Sequence, residues 1–298
     1  MKSYQHLSII AAISCFAWLL SACTEQNEAI DDANGEAVPL EINLKGCNTR
    51  AVITGNTLPD ESTLGIFAVN DDNKVGYNNI HSVYTQNQWT LSETVYLTES
   101  DKRIYAYYPY SEEANLNSVS INTQEQIDHL YGYAVNENNQ MTTVNAANPK
   151  ANILLKHALS RITLHIKKAE SNKKEGAVYN VTLAGVPLSA TLNISNGSIK
   201  TADNGDLVIK SVIKLTTEGE NIDILVPPTE AANIMLGIDI NEKYHSVQMP
   251  VGVWKSGQQY TYTVEVSDNS LQIGEASITP WDDNLQEGIE VRDNNYVE

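Results

Sequence analysis

Val38-Pro39-Leu40-Glu41-Ile42-Asn43-Leu44-Lys45 places Val38, Leu40, Ile42 and Leu44 on one face of an extended chain and Pro39, Glu41, Asn43 and Lys45 on the other. Alternation at period two is the signature of a strand with one buried face. Short, turn-bounded runs of similar character continue downstream: 63–69, 82–84, 94–97, 103–108, 130–135, 153–157 and 161–166, then 178–183, 190–194, 208–215, 222–226, 234–240, 246–250, 260–266 and 271–278. Turn-forming stretches such as Asp203-Asn204-Gly205-Asp206 are expected to separate them. Close strand spacing, 15 tyrosines and the lack of any long stretch at period 3.6 predict an all-β chain built as antiparallel β-sandwich domains in tandem.

Working outward toward the amino end, Lys2 is followed by a mostly apolar run from Leu7 to Leu20, closing in Leu20-Ser21-Ala22-Cys23. A positive start, an apolar centre and small residues before the cut make residues 1–22 a signal peptide. The run is short of the roughly 20 apolar residues a spanning helix needs, and polar Thr24 to Glu28 follow at once. Leu-Ser-Ala-Cys resembles a bacterial lipobox, so Cys23 is the expected site of acylation and the cell envelope the expected address. Buried acyl chains contribute about 0.8 kcal/mol per methylene, enough when several are present to hold a folded domain at a bilayer. Residues 23–36, rich in Glu, Asn, Asp and Ala, have the composition of a tether.

The Asn-rich stretch from Asn136 to Pro149 has the character of a long surface loop and sets a domain boundary near residue 157. The expected layout is an amino-terminal sandwich over 37–157 and a carboxyl-terminal one over 158–298. Of three cysteines, Cys15 lies in the signal, Cys23 is the lipid site and Cys47 is left without a partner, so no internal disulfide can form. Acidic residues outnumber basic ones 37 to 19, a formal net charge of −18. Such a surface repels nucleic-acid phosphates, and nucleic acid is not an expected partner.

Chemistry is sparse. The histidines at 6, 81, 129, 157, 165 and 245 show no metal-ligand spacing, and no nucleophile elbow or phosphate-cradling glycine loop occurs. An enzyme is therefore not expected, and no cofactor is implied. Asp71-Asp72-Asn73-Lys74-Val75-Gly76 has oxygen ligands at the first and third positions of a calcium loop, but Val75 falls where another is needed, so it reads as a turn. Tyr105, Tyr107, Tyr108 and Tyr110, with Trp89, Trp254 and Trp281, read as core residues; an alternative makes Tyr107 and Trp254 part of a glycan-binding surface on a permanently anchored lipoprotein.

Several segments, in order, resemble the fimbrillin family, the lipoprotein precursors of type V pilus subunits in Bacteroidetes. They are Thr49-Arg50-Ala51, Leu64-Gly65-Ile66-Phe67-Ala68, Ile104 to Tyr110, His129 to Ala134, Leu155 to Ile162, Trp254 to Tyr262 and Ile278-Thr279-Pro280-Trp281. The resemblance implies two transthyretin-like sandwiches, delivery to the outer membrane and cleavage by an arginine-specific surface protease. It also implies joining of subunits by strand exchange, with host or bacterial surfaces as further partners. By that resemblance Val38, Leu40, Ile42 and Leu44 lie on the removable strand. Cleavage falls between Arg50 and Ala51, with Lys45 as the alternative cleavage residue. The donor strand is sought at the carboxyl end, in 271–278 or around Ile289 and Val291. Cleavage at Arg50 would discard the lipid on Cys23 and the odd Cys47 together.

Overall fold

The computed structural model describes residues 37–46, 58–172, 175–241, 243–268 and 270–281. In chain order the strands are β1 (Val38–Pro39), β2 (Glu41–Gly46), β3 (Thr63–Asn70), β4 (Val75–Thr85), β5 (Gln88–Leu91), β6 (Tyr96–Leu97), β7 (Lys102–Tyr108), β8 (Val119–Asn122), β9 (Leu130–Ala134), β10 (Thr143–Val144) and β11 (Lys150–His157). They continue as β12 (Ser160–Lys168), β13 (Ala177–Leu192), β14 (Ile199–Lys214), β15 (Glu220–Val226), β16 (Thr229–Glu230), β17 (Met235–Ile240), β18 (Lys243–Gln248), β19 (Val253–Trp254), β20 (Gln258–Val266), β21 (Leu271–Ile273) and β22 (Ser277–Pro280). Helical structure among the described residues is confined to two single 3-10 turns, Thr123–Glu125 and Ala231–Asn233.

An eight-stranded sheet in the first half follows the order β2-β11-β9-β7-β3-β4-β5, with β10 beside β7. Two five-stranded sheets are built mainly from the second: β15-β12-β20-β21 with β22 against β20, and β14-β13-β17-β18, which β8 from the first half joins against β13. Apolar side chains from both five-stranded sheets, among them Ile162, Leu164, Val181, Leu183, Ile238 and Tyr262, form one sandwich core. Leu64, Ile66, Ile104, Leu130, Ile153 and Leu155 anchor a second core on one face of the eight-stranded sheet. A third lies on that sheet's other face, where Phe67, Tyr105 and Tyr107 meet Val119, Ile121, Leu192 and Ile194.

Central strands therefore bury both faces. In β3 the six residues Leu64 to Val69 are all buried, and β7 buries Ile104 to Tyr107. That explains why their sequences read as continuous apolar runs and why Tyr107, two residues from Tyr105, lies inside as well. The Tyr107 ring covers Gly65 so closely that a Cβ there would stand 1.9 Å from it. Its hydroxyl donates to Ser111 O at 2.9 Å and accepts from Ser111 N at 3.0 Å, and burial pushes its pKa up to about 12.

The all-β, mainly antiparallel expectation holds, with two parallel pairings added to it, and one expected turn is corrected. Most pairings are antiparallel, but β2 joins β11 in parallel, and so does β12 with β20. Partners more than 90 residues apart in sequence are joined by a long path through the fold, which removes the hairpin constraint that dictates antiparallel neighbours. The turn expected at 203–206 does not break the chain: β13 and β14 form one ribbon of 16-residue strands, pairing Pro187 with Asn204 and Val186 with Gly205. A bulge at Gly185, whose φ is +91°, and Asp203 at φ +54° absorb the irregularity inside the ladder.

Candidate functional site

The alternating segment with which the chain's first sheet begins supplies the most distinctive surface. Among the described residues β2 is the outermost strand of the eight-stranded sheet and pairs with β11, in a register running from Glu41 against Lys150 to Leu44 against Ile153. Leu40 and Ile42 point into the core at 6% and 9% exposure, while Val38 and Leu44 are half-buried. The other face is wet: Glu41 and Lys45 are exposed, and Lys45 Nζ donates to Asn136 O and Glu137 O at 2.8 and 2.9 Å. Asn43 Nδ2 donates to Ile42 O and its Oδ1 accepts from Lys150 Nζ once the amide is turned to satisfy both. Further ties come from Leu40 N to Val95 O at 2.9 Å and from the β1–β6 pairing of Val38 with Leu97. Burial of two whole and two half side chains amounts to about 4 to 9 kcal/mol gross, at about 1.5 to 3 for each full burial.

At the opposite edge of the same sheet lies β5. The two edges do not pair; their Cα traces come within 8 Å at the nearest points and leave a groove of about 730 Å³ between them. Five successive residues of the first segment, Leu40 to Leu44, line one wall, so the strand presents its backbone edge to the groove and not one face alone. Tyr84, Asn87, Gln88, Trp89 and Leu91 line the other.

β11, the sheet neighbour of β2, ends in a buried polar cluster. His157 Nδ1 lies 3.0 Å from the Asp128 carboxylate, both 2% exposed or less, and its ring stacks on Trp281 with centroids 3.8 Å apart and planes 9° off parallel. Arg161 lies 6.0 Å over the same indole and forms an ion pair with Asp223. His129 next to this cluster is pushed toward neutrality by burial, against the pull of Asp128 and Glu125. Asp128, His129, His157, Arg161 and Trp281 are buried, while Asp223 and Glu125 reach the surface. The cluster is a structural fastening between the end of β11 and the segment that closes on Trp281.

Of the positions singled out from sequence, Ile42 and Leu44 lie on β2, Leu40 on the link before it and Val38 on β1, which pairs with β6 in a separate two-stranded sheet. Cys23, Cys47, Arg50, Ala51, Ile289 and Val291 lie outside the described residues. The 271–278 candidate is two strands, β21 and β22, each already paired antiparallel with β20. Such a segment would have to leave its own sheet before pairing elsewhere. Tyr107 and Trp254 are both 0% exposed, and Trp254 Nε1 donates to Tyr262 OH at 2.9 Å, so neither ring can meet a glycan. Asp71 to Asn73 form a turn in which Asp72 accepts from Lys74 N and pairs with its ammonium. Among the described residues no group of three His, Cys, Asp or Glu side chains is placed to hold a metal. Sequence reading missed the groove and the Asp128–His157 pair. A two-residue link between Thr85 and Gln88 was the available signal for the hairpin that carries Trp89.

A model of the fimbrillin-like family matches residues 49–281. Among solved structures, a candidate cell-adhesion protein of Bacteroides uniformis superposes with a TM-score of 0.63 at 20% identity, over 82% of this chain and 99% of that one. A second candidate cell-adhesion protein, from Bacteroides ovatus, gives 0.62 at 18% over 84% and 99%. A fimbrial protein of Bacteroides vulgatus gives 0.54 at 14% over 82% and 99%. At these identities the likeness is one of fold. No curated protein sequence matches the chain.

Proposed function

The chain belongs to the fimbrillin-like family, and from that premise we propose that it is a structural or adhesive subunit of a cell-surface pilus. It is exported as a lipoprotein acylated on Cys23, cut between Arg50 and Ala51 by an arginine-specific protease, and joined to its neighbours by exchange of β2. The observation that carries this reading is the position of β2, outermost in its sheet among the described residues, with Ile42 and, just before it, Leu40 buried in the core and β11 as its sheet partner. Its departure would uncover the free edge of β11 and an apolar strip on the core, and an incoming strand would gain main-chain bonds from the first and side-chain specificity from the second.

In this reading the chain divides near residue 157 into two sandwich domains. The carboxyl-terminal sandwich has its own core, and the amino-terminal sheet carries the exchangeable edge. The donor is sought around Ile289 and Val291, because 271–278 is engaged within its own sheet.

Digestion of the purified precursor with an arginine-specific protease tests the reading. The expected result is a new amino terminus at Ala51 followed by polymers, both abolished by Arg50→Ala. A precursor that stays intact, or that is cut at Arg50 and remains monomeric after β2 has gone, would refute it.

A further inference from the structure

We propose that the groove between β2 and β5 is a binding site for a short neutral saccharide. It stands on the seam geometry and on the side chains that line it.

The width of the seam argues first. Directly paired strands lie about 4.8 Å apart. The two edges come within 8 Å at their nearest points without pairing, so the sheet stays open there and leaves room beside its edges for a ligand. The volume of about 730 Å³ falls within the range of small-molecule sites.

The lining argues second. Trp89 and Tyr84, facing one another across the β4–β5 hairpin, have ring centroids 5.1 Å apart and planes at 40°. Tyr84 OH donates to Asn87 Oδ1 at 2.7 Å, and Gln86 and Asn87, at φ +51° and +65°, close the hairpin as a tight two-residue turn. The half-buried indole thus stands on a pre-set frame, offering an apolar surface to the C–H face of a sugar. Glu41, Gln88 and Asn152 line the same groove with carboxylate and amide groups. Planar groups of this kind accept from and, for the amides, donate to vicinal hydroxyls. Glu41 and the overall charge of −18 oppose an anionic sugar, which makes the ligand neutral.

One wall of the site is β2. On the strand-release reading this wall leaves with β2 on cleavage, until an incoming strand takes its place, and by reciprocity a bound saccharide would hold β2 in place.

The test titrates the full chain carrying Arg50→Ala with neutral tri- and tetrasaccharides of glucose, galactose, mannose and N-acetylhexosamines, read by calorimetry. At least one is expected to bind. Trp89→Ala should weaken it about tenfold; Gln88→Ala and Asn87→Gly, the latter keeping the left-handed turn accessible, should weaken it severalfold. Should Trp89→Ala melt, Trp89→Phe and Gln88→Ala carry the test. Absence of binding by every saccharide overturns the proposal, as does affinity unchanged in all variants. So does a peptide of residues 282–298 binding there while the sugars do not. Because Arg50 is replaced, none of these results depends on cleavage or polymerisation.

Discussion

Leu40→Ala probes whether β2 is separable from the rest of the fold. Leu40 is 6% exposed and packs in the core on the amino-terminal sheet from the link between β1 and β2. A buried Leu→Ala change costs about 2 to 5 kcal/mol, and an edge position that can partly collapse favours about 2 to 3. At 1.4 kcal/mol per factor of ten, opening of β2 should rise about 30- to 140-fold. Native-state hydrogen exchange on the uncleaved chain reads this directly. The amides of residues 42–45 should exchange through an opening of lower free energy than those of the central strand β3, and Leu40→Ala should lower both by the same amount. Ile238→Ala, in the distant sandwich core, should lower the free energy for β3 only if unfolding is global, and should leave the opening of β2 untouched. Glu41→Ala, on the wet face, should change either by less than about 0.5 kcal/mol. The reasoning fails if β2 and β3 exchange with one free energy in the parent, because β2 then leaves only when the whole protein unfolds.

Three further outcomes follow from particular contacts. Trp281→Ala removes the indole stacked on His157 and should destabilise the chain by about 3 to 5 kcal/mol in urea unfolding, with Trp281→Phe recovering part. His129, held neutral by burial below its usual value of 6.5, binds fewer protons folded than unfolded, so stability should fall as pH drops below about 6.5 and level off below the folded pKa; His129→Gln should flatten this part of the pH profile of urea midpoints. Tyr107 should resist ionisation to about pH 12 in an ultraviolet titration, and Tyr107→Phe, which strands Ser111 N and O, should cost about 1 to 3 kcal/mol in thermal unfolding.

The alternation of residues 38–45 was legible because one face of β2 is buried and the other is wet, which is the condition under which period two survives in sequence. It blurred in β3 and β7, where core on both sides erased the polar half of the pattern. The 16-residue ribbon was hidden by Asp203-Asn204-Gly205-Asp206, a run with every local preference for a turn, because pairing with β13 outweighs about a kilocalorie of local propensity. Parallel pairing of β2 with β11 could not be read, since nothing local records which of two distant strands becomes a neighbour. The groove was missed for a related reason. Its walls are 40 residues apart or more, and Trp89 alone carries no mark of what stands opposite.

The parallel sense of the β2–β11 pairing has a mechanical meaning. A strand pulled sideways from one end of a ladder peels, breaking its bonds one at a time. A strand drawn along its own axis against a neighbour held at the far end is sheared, and the bonds share the load. β2 and β11 run in the same direction, so tension that enters through the leading end of one and leaves through the trailing end of the other lies along the ladder. A guest strand occupying the place of β2 would bear axial tension in that way, and a fibre assembled from such joints would resist stretching more strongly than it resists tearing at a single exposed end.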